Sequence, residues 1–274
     1  MKQDYSFHTH TKRCGHAVGN DEDYIKAGIR QGFTYFGFSD HIMLPYHDDP
    51  AIRGNYALYF QDYLDCLRNL RGKYKEFFDI QIGFEAEWFG DTYRDYYAKL
   101  LKNDIDYLIL GQHCFMEDNR IRLYGRLPYP EARSLYVKHV CEAMESGLFL
   151  YFAHPDFIFR MRREVEEGDE EAARTILECA ARTHTPIEIN LGPKRWDRRR
   201  KGQDGEWVLA YPHPFFWDLA KDYDVEVVIG PDVHDPSEFA MSDYEWGMEM
   251  AISRGLRLLS GKELYERIRA RFEK

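Results

Sequence analysis

Residues 225–234 read Val-Glu-Val-Val-Ile-Gly-Pro-Asp-Val-His: a β-branched run of strand length, a Gly-Pro stop, then Asp232 and His234. The same event recurs upstream. Tyr-Ser-Phe (5–7) runs into His8 and His10, Thr-Tyr-Phe-Gly-Phe-Ser-Asp (34–40) into His41, and Ile-Gln-Ile-Gly-Phe (80–84) into Glu85. Tyr-Leu-Ile-Leu-Gly-Gln (107–112) runs into His113, and Leu-Phe-Leu-Tyr-Phe-Ala (148–153) into His154. Each run has the length of a fully buried strand, closed by Gly or a polar residue. A chain that sets ligands on successive strand ends is expected to gather them into one polynuclear metal site.

The text between these runs is helical. Residues 21–32 carry an acidic first turn, apolar residues at helical spacing and a Gly stop. Residues 55–77 are longer and amphipathic, 92–103, 129–147 and 169–184 follow the same pattern, 214–223 start with a proline near N1, and 243–255 and 261–274 close the chain. Strands are expected near 4–7, 34–39, 80–84, 106–111, 149–153, 186–190 and 225–230, with a weaker one at 256–259. Such alternation predicts βα units around a parallel sheet. Seven or eight units predict an α/β fold of the closed, TIM-like barrel type, whose chemistry collects at the C-terminal ends of the strands. An open doubly wound sheet spreads its strands in a row and would struggle to bring six ends to one point. No linker or low-complexity tract divides the chain, so residues 1–274 are expected to form one domain.

Composition narrows the function classes. A hydrophobic fraction of 44% supports a sizeable core. The net charge of −10 argues against a nucleic-acid groove, which needs clustered Lys and Arg to neutralise phosphates. It still allows a small anionic substrate, because a metal centre supplies its own positive charge. No run is long enough to cross a membrane, and the N-terminus Met-Lys-Gln-Asp-Tyr-Ser-Phe-His-Thr-His lacks the apolar segment of a secretion signal. The five cysteines are odd in number and scattered, which suits a reduced, cytoplasmic protein.

His8 and His10 alternate by two, so on an extended backbone both imidazoles point the same way. Asp232 and His234 repeat this spacing, as do Glu85 and Glu87. His16 lies in a Gly-containing loop able to fold over the site mouth. A lone histidine is more often structural than a ligand, but seven of the eleven fall at or just beyond strand ends. Packing gives no reason for that placement, since each buried imidazole needs partners. His139 and His184 sit in helical text and read as structural, while His47 and His213 fit turn roles better than the pocket. Imidazole plus carboxylate suits Zn, Fe or Mn. Cys14 and Cys114 neighbour ligands, but their odd offset turns them away wherever the backbone is extended.

This ordered set resembles the polymerase and histidinol phosphatase (PHP) superfamily, in particular its monofunctional histidinol-phosphatase branch. The similarity runs through HTHTKRCGHA, AGIRQGFTYFGFSDH, GFEAEW, YLILGQHCF, YFAHPD, IEINLGPKR and VEVVIGPDVHDP. It implies a distorted (β/α)7 TIM-like barrel holding three divalent ions, with the eighth strand candidate peripheral. It also implies a division of ligands. One ion would take His8, His10, Glu85 and Asp232, and a second would share Glu85 and add His113 and His154. The third would take His16, His41 and His234. The Gly-x-Glu-x-acid pattern favours Glu85 as ligand and leaves Glu87 near the substrate or behind a ligand.

The implied reaction is hydrolysis of a small phosphate monoester, in first place L-histidinol phosphate, by hydroxide held on the metals. No nucleophilic Ser, Cys or Asp motif points to a phosphoenzyme, and Asp232 or His234 is the expected general acid. Arg160, Lys194 and Arg195 follow strand ends and are the expected phosphate partners, Arg as a bidentate fork. The surrounding Arg-Trp-Asp-Arg-Arg-Arg-Lys stretch (195–201) otherwise reads as a solvated basic loop. Relatives in this branch usually carry a small hydroxylic residue and a Gly before the Arg, where this chain has Asn-Leu-Gly-Pro-Lys-Arg-Trp (190–196). Glu87, Trp88, Tyr46 and Glu117 are candidates for contacts to an imidazole and amine. A phosphodiesterase or nuclease is the alternative, opposed by the acidic charge. An amidohydrolase also begins with His-x-His, but usually places a lysine at the fourth strand end, where this chain has Gly-Gln-His-Cys-Phe.

Overall fold

The computed structural model describes residues 3–45, 54–160, 164–201 and 206–271. In chain order the elements are β1 (Tyr5–Ser6), α1 (Asp21–Gln31), β2 (Tyr35–His41), α2 (Tyr56–Tyr74), β3 (Ile80–Ala86), α3 (Asp91–Asn103) and β4 (Tyr107–Leu110). An antiparallel hairpin follows, β5 (Cys114–Glu117) and β6 (Arg120–Leu123), then α4 (Tyr129–Glu145) and α5 (Glu167–Thr183). Next come β7 (Ile187–Asn190), the short α6 (Gly192–Arg195), a second hairpin of β8 (Arg199–Lys201) and β9 (Trp207–Leu209), and α7 (Pro214–Ala220). The chain closes with β10 (Glu226–Gly230), α8 (Glu238–Met241), α9 (Tyr244–Ile252), β11 (Arg257–Leu258) and α10 (Gly261–Ala270).

Local chemistry sets the helix limits. Asn20 and Asp23 form a reciprocal capping box at the start of α1, and Gly32 ends that helix in the left-handed region. Ser260 and Glu263 do the same at the start of α10. His184 takes the left-handed cap of α5 (φ 53°), and His139 bonds Tyr124 Oη through Nδ1, so both serve the scaffold. No helix among the described residues is long and apolar enough to cross a membrane.

The sheet is parallel and curled. Strands β1 to β4 pair in order, and β7 and β11 flank β10. The two groups meet through residues 149–153, expected as a full strand. That segment contributes only single-residue bridges, Phe152 pairing with Leu110 on one side and Ile187 on the other. Its backbone is nonetheless bonded to both neighbours, Leu150 N to Leu108 O at 2.7 Å and Glu188 N to Phe152 O at 2.9 Å. On the opposite side Thr9 bridges Val233 in parallel, joining the first strand to the last of the ligand-bearing strands. The weak candidate at 256–259 survives as β11, a two-residue strand on β10. This is the α/β architecture that the alternation predicted, with a parallel sheet curled as in a TIM-like half-barrel. Neither hairpin was anticipated, although Asp118 and Asn119, both at positive φ, are a standard two-residue turn between β5 and β6.

Period-two alternation divides two cores. Phe36, Phe38, Leu108, Leu110 and Phe152 pack in the larger cluster with the helices. Phe7, Tyr107, Ile109, Tyr151, Ala153 and Val228 form the second, to which α10 adds Leu264 and Ile268. Tyr107 crosses this second core, its hydroxyl meeting Phe38 O at 2.8 Å and Phe7 O at 3.0 Å. It fits because β2 and β3 carry Gly37 and Gly83, where a Cβ would lie 2.6 Å and 2.7 Å from Tyr107 atoms. Gly83→Ala is therefore expected to overpack the core and cost about 1–3 kcal/mol. Equilibrium urea unfolding measures it; a midpoint unchanged from wild type would show that the ring is not held as described.

Candidate metal centre

Glu85 is the centre of the cluster. It sits near the end of β3, and its two carboxylate oxygens face different histidines. Oε2 lies 3.2 Å from His41 Nδ1, 3.4 Å from His10 Nε2 and 3.7 Å from His8 Nε2. Oε1 lies 2.8 Å from His154 Nε2 and 3.6 Å from His113 Nε2. Asp232 Oδ1 faces the same space, 3.5 Å from Nε2 of both His8 and His10 and 3.6 Å from His234 Nδ1. The outer ring is closed by His16, His41 and His234, with ring centroids 4.4 Å (His16 to His234) and 5.4 Å (His16 to His41) apart. All nine residues singled out as ligands thus stand in one contiguous group.

The spacing fits ions. His8 Nε2 and both ring nitrogens of His10 are buried and accept or donate no hydrogen bond. Their distances to carboxylate oxygens exceed ordinary N–H···O lengths. Two donors bound tetrahedrally to one ion at about 2.1 Å would stand roughly 3.4 Å apart, which matches. Ligand atoms come within 4.8 Å of one another in the sets His8, His10, Glu85; His41, Glu85, His113; and His10, His41, His234. A further set of the same tightness joins Cys14, His16 and His234. The structure therefore groups His41 with Glu85 and His113 as well as with the outer histidines.

Space for the carboxylates is made by two glycines. A Cβ at Gly111, just past β4, would fall 2.0 Å from Glu85 Oε1, and one at Gly230 would fall 1.7 Å from Glu188 Oε1. Glu188 was not singled out from the sequence. It is an acid within the apolar strand β7, fully buried, and its Oε1 takes His8 Nδ1 at 2.7 Å. Its Oε2 accepts from Asn190 Nδ2 (2.8 Å), which also reaches Asp232 Oδ2 (3.2 Å). A carboxylate on the far nitrogen of a ligating imidazole fixes its tautomer and raises its basicity. Glu87 does the same for His113, Oε1 to Nδ1 at 3.0 Å, and Asp40 stands 3.7 Å from His10 Nδ1. The backbone is strained where ligands must be aimed: His154 and Asp232 have φ of 36° and 48°.

Charge states follow. Burial disfavours the imidazolium of His8, but Glu188, Asp232 and Glu85 outweigh it and hold the ring well above its ordinary value. His10 is pushed up to about 9, as Asp232, Asp40 and Glu85 overcome its burial. Burial would raise Glu85 and Asp232, yet the surrounding histidines hold both well below the carboxylate range. His234 goes the other way: burial and neighbouring His10 keep it neutral.

Above the cluster opens a pocket of about 1000 Å³. Its wall includes Phe157, Arg160, Trp196, Arg198 and Tyr211, with Asp235 among the lining residues. The expected phosphate partners separate here. Arg160 lines the pocket, its guanidinium 3.7 Å over the Phe157 ring. Arg195 does not; its guanidinium donates to Pro231 O (2.7 Å), Asp232 O (2.6 Å) and Glu238 Oε2 (3.2 Å), bracing the Asp232 loop from behind. Lys194 is bound to Asp243 Oδ2 (2.5 Å), away from the pocket. Arg198 and Arg199, read from sequence as solvated, line the pocket because α6 and the β8–β9 hairpin redirect the basic stretch. Glu87, Trp88 and Glu117 do not line it: Trp88 is buried with its indole on Glu142, and Glu117 pairs with Arg122. His213 caps α7, while Tyr46 and His47 lie outside the described residues.

The chain belongs to the PHP domain family, whose model matches residues 6–191, more than half of its length. It is similar to a Deinococcus radiodurans protein named "Probable histidinol-phosphatase", 25% identical over 240 residues that cover 84% of this chain and 86% of the relative. A Schizosaccharomyces pombe protein of the same name is 23% identical over 261 residues, covering 86% and 82%. Among solved structures, the histidinol phosphate phosphatase of Lactococcus lactis, complexed with zinc, L-histidinol and phosphate, matches with a TM-score of 0.69 at 15% identity. That match covers 94% of this chain and 97% of the other.

Two outcomes are expected. Gly111→Ala should push the Glu85 carboxylate aside and weaken metal retention by roughly ten- to a hundredfold, with the circular dichroism spectrum unchanged. Full metal content after dialysis against a weak chelator would refute the cradle. Second, His8 and His10 are protonated at neutral pH in the metal-free protein, so ions must displace protons and bind more tightly as pH rises towards about 9. Zinc titration in weak buffer should release protons at pH 7 and fewer near pH 9; equal release at both would contradict these charge states.

Proposed function

We propose that the chain is a metal-dependent phosphatase that hydrolyses L-histidinol phosphate to L-histidinol and phosphate. The observation that carries this is the stacking of two features: an imidazole and carboxylate cluster on the pocket floor, and Arg160 with Arg198 on the wall above it. The names of the two similar proteins and the bound molecules of the structural relative support the choice of substrate. In this reading residues 1–274 act as a single seven-stranded barrel, with residues 149–153 as its narrow strand.

The donor set fits three divalent ions of the zinc, iron or manganese type. His8, His10, Glu85 and Asp232 would hold one, Glu85, His113 and His154 the second, and His16, His41 and His234 the third. Such ions supply Lewis acidity to phosphoryl oxygens and to a coordinated water. The remaining work falls to the chain. Arg160, half-buried and on the same wall as Arg198, is held below the usual arginine range by desolvation first, with the like charge of Arg198 adding to it. Two guanidinium groups on one pocket wall, Arg160 half-buried and Arg198 exposed at the mouth, suit a dianionic phosphate, which relieves their repulsion. Phe157, Trp196 and Tyr211 offer faces to an imidazole ring. Asp235 would take the ammonium group at the rim. Asp232 and His234 stand on the pocket floor, ionised and neutral respectively, where either can accept a proton from the attacking water and pass it to the leaving alkoxide. Glu188 and Glu87 hold the imidazoles in place during turnover.

The test is a phosphate-release screen on metal-loaded protein with histidinol phosphate, nucleoside monophosphates and a phosphodiester. Histidinol phosphate should lead; turnover of the diester alone would replace this reading with a phosphodiesterase. Arg160→Ala and Arg198→Ala should each lower kcat/KM by roughly ten- to a hundredfold, whereas Lys194→Ala should leave it near wild type.

A further inference from the structure

We propose that Cys14 is a sulfur ligand to an ion bound by His16 and His234, so that the outer position of the cluster prefers thiophilic metals. This rests on the metal-dependent reading above. The odd offset that would turn Cys14 away from the ligands holds only on an extended backbone, and here residues Lys12–Cys14 form a 3-10 turn. Thr11 caps the start of that turn and Gly15, at φ 78°, reverses the chain after it. Cys14 is thereby buried (4% exposed) yet lines the pocket. Its Sγ stands within 4.8 Å of ring nitrogens of both His16 and His234, and in a second set with His10 and Asp40.

Independent observations point to a ligand there. His10, 1% exposed, makes no hydrogen bond through either ring nitrogen. His234 has its Nδ1 towards Asp232, while its Nε2 is buried without a hydrogen bond. His16 Nδ1 is taken by Cys14 O at 3.1 Å, which leaves Nε2 as its coordinating atom. The three-residue set implied for this ion, His16, His41 and His234, is not one of the tight groups, whereas Cys14, His16 and His234 is. The turn is also fixed: Arg13 is clamped by Asp21 of α1 (2.7 Å) and Asp62 of α2 (2.8 Å). A cysteine that only fills space would look like Cys114, which is fully buried beside His113 but belongs to none of the groups.

A thiolate among imidazoles favours zinc and ferrous iron over manganese and magnesium, which prefer oxygen donors. The probe is cobalt(II). Chelator-stripped full-length protein reloaded with cobalt should show near-ultraviolet sulfur-to-cobalt charge transfer, lost in Cys14→Ser and kept in Cys114→Ser. Cys14→Ser should also lower the zinc-to-manganese affinity ratio by roughly tenfold or more. Cobalt binding without a sulfur band in the wild type, or an identical band in Cys14→Ser, overturns the inference while leaving the metal-dependent reading intact. Failure of the wild type to bind cobalt or zinc at all overturns both. Should Cys14→Ser not fold, X-ray absorption of the zinc-loaded wild type decides: a sulfur scatterer at about 2.3 Å supports the inference, and a shell of nitrogen and oxygen alone removes it.

Discussion

One buried carboxylate organises this molecule. Glu85 is 2% exposed and is surrounded by five imidazoles, so its charge is balanced mainly by them rather than by water. A charge so placed is tolerated only when its partners are fixed in direction and number. The parallel sheet supplies that direction, because each strand delivers its ligand at one end. Register does the rest: His41 pairs directly with Glu85 across β2 and β3.

The outer layer explains why the arrangement is stiff. Glu188 holds His8, Glu87 holds His113, and Asp40 lies against His10 while accepting from the Thr11 hydroxyl. His8 and His113 thus each have one nitrogen assigned to the scaffold and one turned to the centre, the division a metal site requires. Arg195 extends the principle to backbone, since its donors hold the carbonyls of Pro231 and Asp232 and so the strained turn at Asp232.

The sequence made the clustered histidines and carboxylates legible because strand-end position is a local property: run, stop, polar side chain. Alternation of strands and helices carried the fold class for the same reason. What it hid depends on contacts distant in the chain. Glu188 is 180 residues from the His8 it serves, and Gly111 matters only because Glu85 comes beside it. Arg195 and Arg198 differ by three positions yet serve opposite sides of the pocket wall, because α6 ends at Arg195 and the chain turns through Trp196 and Asp197 before Arg198. Residues 149–153 looked like a full strand on composition, whereas their neighbours grant them only single-residue pairing. The offset argument about Cys14 applies only to an extended backbone, and a 3-10 turn stands there.

The β8–β9 hairpin has a wider significance. It is an excursion between α6 and α7 that delivers Arg198 and Arg199 to the pocket, while the nine floor residues come from elsewhere in the chain. The floor of the pocket and part of its wall thus come from separate stretches of the chain. Exchange or lengthening of residues 198–209 could reshape the pocket mouth without touching the cluster of histidines and carboxylates below. A scaffold divided in this way can acquire new substrates in small steps, each of which keeps a working centre.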